Sequence, residues 1–477
     1  MINATEIPLK QFLPAAYCFA CKACCVFEST TTPWRPFMPQ EEKLRSCLVD
    51  PERAYDNEIV APDGFVHAVC EEGKGRCGVF NKESFRCERY LGRPFECQIY
   101  PFMIVTKDDK PYLAAHLSCP FMQEHWRDEL FNEYVDYMIK YVEQPLIKNF
   151  LERNPGLARP YNKGDQFDFV YELRFDKELP GCSVLEHRQL LDKCFAEAGI
   201  NLSLYTFPGV AVWETIFSID IREIDGMICV FFSDEATTFM FFPPIGKGDV
   251  AKVSRKCFEI MERVNGSSGI SRMDNVPDSM VPFFPENEFV CAYKTDEFIY
   301  QREAIAGLVG NTYKSKRSDY NQFVRLYQPE FVPFENEMAQ ECLQVFDRWV
   351  TQKAEEASEE ALIMRHEARE YHRMILKQPD VLGYTGRVVR VGGKIVGYTF
   401  GYPVDQRDFC VFAEITDRSL KGMPAYIFRE FCRDKVVEPF ERVNVMDAFA
   451  LPSIAETKHS FHPHATLPIY MVYKADI

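Results

Sequence analysis

A chain of 477 residues is too long for one ordinary hydrophobic core, so two or three domains are expected. Hydrophobic content of 47% with 14% aromatics is that of a packed globular protein, which excludes a disordered one. A formal charge of −16 argues against any general nucleic-acid-coating role, although a local basic patch remains compatible with it.

Residues 1–10 lack the basic and apolar regions of a signal peptide. No run reaches the ~18–20 apolar residues needed to span a bilayer. Residues 226–245 come closest, but Asp234, Glu235 and Pro243-Pro244 break the stretch. A cytoplasmic protein without a transmembrane segment is therefore expected, where thiols stay reduced.

That expectation matters because of Cys18-Phe-Ala-Cys21-Lys-Ala-Cys24-Cys25, four thiols within eight residues. Cys77, Cys87, Cys97 and Cys119 answer them downstream, with Cys70 a possible extra ligand. Thiols this dense do not all pack as small hydrophobes, and two-residue spacings suit one ion or one iron–sulfur centre. Zinc, iron or an Fe–S cluster is the favoured reading, with a disulfide framework and free thiols as alternatives. Residues 1–125 are Pro-rich and weakly periodic, so apolar burial alone would hold them poorly. A structural metal can add roughly 10–16 kcal/mol of apparent binding free energy to folding. The eight cysteines after residue 120, among them Cys229, Cys291 and Cys410 inside apolar runs, read as core residues.

Residues 126–153 read as one amphipathic helix, from Phe131, Tyr134, Met138, Tyr141 and Val142. A second helix is expected over 183–198, with Ser183 as N-cap and Gly199 as stop. Short strands follow at about 216–222, 227–232 and 238–242, with a turn at Asp225-Gly226. Then come a helix over 249–264 and strands at 269–273 and 289–293. Lys314, Lys316 and Arg317 precede the helically spaced Tyr320, Phe323 and Leu326. Apolar stripes at Met338–Trp349 and Met364–Ile375 predict two more helices. A hairpin turns at Gly392-Gly393, followed by a strand at 409–415, a helix at 424–436, a strand at 442–446, a helix near 452–458 and a strand at 467–473. The order β-β-β-α-β-α-β in this last part, with a similar order before it, predicts two related α+β modules in tandem.

Two resemblances attach to these residues. The run Cys18–Cys25, with Cys77-Gly-Val-Phe, Cys87-Glu-Arg-Tyr-Leu-Gly-Arg-Pro-Phe-Glu-Cys97-Gln-Ile-Tyr-Pro and Ser118-Cys119-Pro, resembles the zinc- or iron-chelating domain family of the Cys-x-x-Cys-x-x-Cys-Cys type. That likeness covers about a quarter of the chain and implies a metal or Fe–S site. Arg93 within it would either pair a carboxylate or offset the charge of a thiolate-rich centre. From about residue 170 onward the chain resembles the C-terminal domain of phosphatidylglycerol lysyltransferases, which has two GNAT-like acyltransferase folds. The likeness rests on Ala306–Phe323, Glu414–Gly422, Asn444-Val-Met-Asp447 and Lys458-His-Ser-Phe-His-Pro463. Ile415 stands where Lys is common in that family, and Val445 and Met446 replace residues usually polar. No stretch here corresponds to the membrane-spanning half of the lipid lysyltransferases.

The fold expected is thus α+β: a cysteine-rich module at 1–125, a helical connector at 126–165, and GNAT-like domains at 166–330 and 331–477. Glu414 and Asp447, at the ends of neighbouring strands, are the candidate catalytic carboxylates, as base or as site for a substrate ammonium. Carboxylates that merely cap loops are the plainer alternative. Arg418, Lys421 and Gly422, before a helix, are candidates for the anion of an acyl-CoA or aminoacyl-tRNA donor. Lys316 and Arg317 are candidates for a tRNA acceptor end or lipid phosphate. Lys458 is expected to pair with Asp447, and His459, His462 and His464 to be surface or packing residues. A non-catalytic scaffold or sensor, or an Fe–S redox protein, would use the same residues differently.

Overall fold

The computed structural model describes residues 9–475 apart from 22, 85, 109, 163, 174–182, 235–236, 266–269, 353–367, 370, 378 and 449–451. The chain divides into two compact units. The first comprises Met1–Ser183, Phe231–Phe239 and Arg255–Ser271; the second comprises Val184–Val230, Met240–Ser254 and Arg272–Ile477.

The first unit is built from small pieces. A three-stranded sheet orders Val26–Phe27, Lys74–Cys77 and Ala68–Glu71; Phe80–Asn81 pairs with Arg86–Cys87; a four-stranded sheet orders Ala158–Pro160, Phe102–Lys107, Lys110–His116 and Phe167–Glu172. The single helix expected at 126–153 is two helices, Glu129–Val142 and Pro145–Arg153. Proline lacks an N–H and clashes with the preceding turn, so Pro145 opens a new helix instead of continuing the old one. Asp128 starts the first of these, its Oδ1 accepting from Phe131 N at 2.9 Å. The five residues of the apolar stripe are all buried, as their spacing requires.

Two buried carboxylates fasten the short helix Phe95–Ile99, which carries Cys97. Glu42 accepts from Phe95 N at 3.1 Å. Glu96 accepts from Phe37 N at 2.7 Å and from the Arg159 guanidinium at 2.6 Å. Each answers an amide or cation that would otherwise be buried unpaired.

In the second unit the α-helix expected from Ser183 begins at Arg188, with His187 as N-cap and a 3-10 turn over Ser183–His187 before it. Gly199 does end it, at φ 61°. The largest sheet has eleven strands, of which Phe231–Ser233 and Thr238–Phe239 are counted with the first unit, in the order Ser218–Ile224, Met227–Ser233, Thr238–Met240, Met273–Pro277, Ala465–Lys474, Phe289–Gln301, Arg442–Asn444, Asp408–Thr416, Lys394–Pro403, Thr385–Val391 and Glu330–Pro333. The hairpin at Gly392-Gly393 has both glycines at positive φ, as a tight two-residue turn demands. The strand expected at 289–293 runs thirteen residues, Phe289–Gln301. Lys294-Thr-Asp-Glu297 looks like a turn in sequence, but the strand passes it with a bulge between Tyr293 and Thr295.

Chain order repeats inside this sheet. Three strands, the helix Val250–Asn265 and a strand parallel to the third make up one run; three strands, the helix Met423–Arg433 and a strand parallel to the third make up the next. The closing strand of each run lies beside the other run: Phe289–Gln301 pairs with Arg442–Asn444, and Ala465–Lys474 with Met273–Pro277. The fold class is α+β and GNAT-like, as expected. Met364, part of one expected apolar stripe, lies outside the described residues.

That stripe's C-terminal end carries His372, buried against the rings of Phe346 and Tyr398, with Nδ1 3.1 Å from Tyr398 Oη. Burial pushes its pKa down to about 3. The unfolded chain therefore binds a proton that the folded chain refuses, and stability falls as pH drops below about 6.5. His372→Gln should flatten the acid side of the thermal-stability profile, removing up to about 1.4 kcal/mol per pH unit between roughly pH 6.5 and 3.

Candidate functional sites: a thiol cluster and a buried acid–lysine centre

The cysteines of the first unit come from separate elements. Cys18 lies on the helix Ala15–Ala20, Cys24 and Cys25 on the 3-10 turn Ala23–Cys25, and Cys77 and Cys87 end short strands. Cys97 lies on Phe95–Ile99, and Cys119 is the N-cap of Pro120–His125. They nevertheless share one neighbourhood. Cys24 acts electrostatically on Cys18, Cys25, Cys77, Cys87, Cys97 and Cys119, and Cys21 acts on Cys18 and Cys119. Cys24 Sγ and Cys25 Sγ are 3.9 Å apart.

Burial pushes Cys18 and Cys77 up to about 11 and raises Cys97 well above its ordinary value. Several features pull the other way. Backbone N–H groups of Val79, of Arg89, and of Phe121 and Met122 favour thiolate at Cys77, Cys87 and Cys119 respectively. The Arg93 guanidinium favours it at Cys18, Cys24 and Cys87. Arg93 donates to Tyr90 O, Cys97 O and Gln11 Oε1, so it serves the thiols and these oxygens.

This donor set fits a thiophilic metal. Soft sulfur ligands, N–H donors to sulfur and a nearby cation suit a thiolate-held centre. A finished coordination sphere is not in place: among the described residues no three His, Cys, Asp or Glu side chains stand at the spacing of a single ion.

The second site lies where two strands of the second unit part. Asp408–Thr416 runs parallel to Arg442–Asn444 only from Asp408↔Arg442 to Cys410↔Asn444. Beyond that, the first continues along Lys394–Pro403 to Thr416, while the second bends away through Met446 at φ 57°. A side chain at positive φ is strained and needs fixing. Met446 N donates to Asn444 Oδ1 at 2.7 Å, and Lys458 Nζ donates to the carbonyls of Val445, Met446 and Asp447, at 2.6 and 3.3 Å for the first two. The ion pair expected between Lys458 and Asp447 is thus first of all a lysine bound to backbone oxygens.

Beside this bend sits Glu297, 1% exposed. Its carboxylate accepts from Ser203 N at 3.0 Å, from Ser203 Oγ and from Asn444 Nδ2. Tyr402 Oη donates in turn to Ser203 O at 3.1 Å. Sequence reasoning missed Glu297 and Ser203. A carboxylate directly before the apolar run Phe298-Ile299-Tyr300 was the available signal.

Glu414 faces Thr399 across the ladder. Its Oε2 is buried without a hydrogen-bond partner, as is Thr399 Oγ1. Burial lifts its pKa to about 8, against the pull of Thr399 and Lys458. Burial lowers Lys458 to about 8, against Asp447, Cys410, Glu297 and Glu414. Lys458 is therefore within electrostatic reach of both Glu414 and Asp447, while Asp447 lies three residues beyond the end of its strand.

The cations are placed elsewhere. Arg418 and Lys421 are exposed in the turn before Met423–Arg433. Gly422 caps that helix at φ 88°, and a Cβ there would come within 2.3 Å of Asp319 O, so glycine is required. Asp319 belongs to the helix Lys314–Tyr327, which brings Lys316 and Arg317 to the same region. Lys316 Nζ donates to Ser460 Oγ at 2.7 Å and lies over the Phe461 ring; Arg317 donates to Leu308 O and to Gly310 O. His459, His462 and His464 are exposed; the first two pack edge-on against Phe298 and Tyr313.

A family model described as phosphatidylglycerol lysyltransferase, C-terminal, matches residues 202–473, more than half of the sequence. The chain belongs to that family. Both parting strands, Glu297 and Lys458 fall within the lysyltransferase match. A model described as "Putative zinc- or iron-chelating domain" matches residues 17–120 and takes in all eight cysteines named above. Among solved structures, a conserved protein of unknown function from Bacteroides thetaiotaomicron is 24% identical, the match covering 62% of this chain and 99% of that one, with a TM-score of 0.54. L-PGS from Bacillus licheniformis is 16% identical over 61% of this chain and 92% of that one, with a TM-score of 0.43. No curated protein matches the chain. No helix among the described residues is long and apolar enough to cross a membrane.

Removing the Glu297 carboxylate tests the buried network. Glu297→Ala leaves Ser203 N–H and the Asn444 amide without their acceptor, which should cost about 3–5 kcal/mol. The denaturant midpoint of the purified variant should fall accordingly.

Proposed function

We propose that the second unit transfers an acyl or aminoacyl group and that the first holds zinc, iron or an iron–sulfur cluster. Glu414 is the general base and Asp447 the carboxylate that binds a substrate ammonium. The acceptor's N–H or O–H gives its proton to Glu414 as its nitrogen or oxygen bonds to the acyl carbon. The bond from that carbon to the carrier oxygen or sulfur breaks, and the carrier leaves with the proton returned by Glu414. The donor is an aminoacyl-tRNA or an acyl-CoA, its phosphates met by Arg418, Lys421, the Gly422 turn, Lys316 and Arg317. The acceptor is a small molecule, and contact with nucleic acid is confined to the end of a charged tRNA.

One observation carries this reading: a carboxyl with an unpartnered oxygen and a pKa of about 8, within electrostatic reach of a lysine also near 8. A base poised close to working pH is the most effective kind, and a buried acceptor without a donor invites a substrate proton. The family's printed description, a lysyltransferase, is of the same reaction class.

The metal would be held by Cys18, Cys21, Cys24, Cys25, Cys77, Cys87, Cys97 and Cys119, and would supply the positive charge that lets crowded thiolates coexist. A reducing, cytoplasmic setting accompanies that reading, since the ligands must stay unoxidised. A non-catalytic scaffold or sensor draws on one observation: in the Asp417–Gly422 turn, Ser419 N and Leu420 N already bond to Asp417, and Met423 N bonds to Leu420 O. Amides used in this way are withdrawn from a donor phosphate.

Two measurements test the proposal. Purified protein incubated with charged tRNA or acyl-CoA and small-molecule acceptors should show transfer whose rate falls about tenfold per unit below pH 8, because protonated Glu414 is no base. Glu414→Gln should lose about 10²–10⁴-fold in rate and with it this dependence; undiminished transfer would remove Glu414 from the mechanism. Separately, protein purified without oxygen should contain zinc or iron by elemental analysis, and chelation should lower its thermal midpoint. Metal-free protein of unchanged stability would end the metal reading.

A further inference from the structure

Three phenols lie among the sulfurs of the first unit, and two of them have partners elsewhere. Tyr17 Oη donates to Glu124 Oε1 at 3.2 Å, and Tyr100 Oη lies 3.3 Å from His116 Nδ1. Tyr55 differs. It is 1% exposed, and its hydroxyl oxygen is buried with no hydrogen-bond partner. It packs in one cluster with Cys77, Cys25 and Cys87. Its backbone N–H is anchored to Ser46 Oγ at 2.8 Å, and the Arg89 guanidinium lies 5.5 Å from its ring centre. Arg89 also presents its backbone N–H to the Cys87 sulfur.

An orphaned buried hydroxyl is costly, because it has given up water for nothing. Phenylalanine would fill the same volume without that cost, so the hydroxyl needs a purpose. The groups facing it are sulfurs. A neutral thiol is a weak acceptor, whereas a thiolate accepts a charge-assisted bond. Of these sulfurs, Cys87 is the one the hydroxyl already leans on, without the alignment of a formed hydrogen bond.

We propose that Tyr55 is a positioning residue of the metal centre: on loading, its hydroxyl donates a hydrogen bond to the Cys87 sulfur as a metal-bound thiolate. This rests on the metal-binding reading above. It assigns Tyr55 no coordination bond. The hydroxyl fixes the orientation of one ligand and draws electron density from its sulfur, as outer-shell donors do.

The experiment compares full-length wild type with Tyr55→Phe, both stripped of metal and then titrated with zinc(II) or cobalt(II) under reducing, oxygen-free conditions. The loaded variant should release metal to a chelator about 10–100-fold more readily than loaded wild type. Its cobalt(II) thiolate charge-transfer band should be shifted relative to wild type. Metal-free Tyr55→Phe should melt at or above metal-free wild type, since it sheds an unsatisfied hydroxyl, while the loaded variant melts below loaded wild type. Opposite signs in the two states support the assignment. Equal destabilisation in both states would make Tyr55 a packing residue, and unchanged metal affinity and spectrum would overturn the proposal outright. A wild type that takes up neither metal defeats the metal reading itself, and this inference with it.

Discussion

A carboxylate taken out of water must be surrounded by donors or give up its charge, and the second unit is arranged around one that has its donors. Glu297 lies within the thirteen-residue strand Phe289–Gln301, where it is reached by the Ser203 amide and hydroxyl and by the Asn444 side chain. Asn444 ends the strand of the other run and, through its own oxygen, fixes the strained Met446. Satisfying one buried charge therefore determines where the Arg442–Asn444 strand stops and how the chain turns away from Asp408–Thr416. The gap between those two strands follows from Glu297. Glu414, Asp447 and Lys458 occupy its surroundings.

The first unit meets the same constraint with a different shortage. Cys77 and Cys119 are buried and the other six half-buried, and neighbouring sulfurs such as Cys24 and Cys87 raise the cost of ionising Cys77 and Cys97. Four of these eight receive backbone N–H donors and three the field of Arg93, which is too little charge for eight thiolates. The divalent ion or cluster proposed for this unit would supply what is lacking. Its strands are only two to seven residues long, so metal ligation is expected to add to the stability of a unit that sheet pairing alone holds weakly.

Local chemistry made much of this legible in the sequence. The Gly392-Gly393 hairpin, the Gly199 stop, the apolar stripe from Phe131 to Val142 and the repeated strand–helix order rest on short-range signals, which the residues carry by themselves. Pro145 carried one too, and a helix drawn through it overran a plain stop. Other features depend on partners far along the chain. Ser203, Glu297 and Asn444 are 94 to 147 residues apart in their contacts with one another, and no spacing rule reports such a meeting. The strand expected at 289–293 falls short for the same reason: the charged run Lys294-Thr-Asp-Glu297 belongs to the strand, and the donors that satisfy Glu297 come from far along the chain. The cysteines were the exception among long-range features, because dense thiols name their own kind of partner.

Satisfaction of buried polar atoms then separates residues that hold the fold from residues that face a ligand. Glu297 is a buried acid and Glu414 a half-buried one whose Oε2 is shielded from water, both in one sheet, and desolvation raises the pKa of both. Glu297 has its donors and positions other groups, so a substrate would find no free acceptor there. Glu414 keeps Oε2 without a partner beside a lysine whose own protons go to backbone carbonyls. The fold bears that cost without evident structural return, which is what a site reserved for a transferring proton requires. Tyr55 presents the same asymmetry in the other unit: two of the three phenols near the sulfurs have partners, and the third is buried without one. In each unit the unsatisfied atom belongs to the chemistry proposed there, a base in one and a sulfur donor in the other.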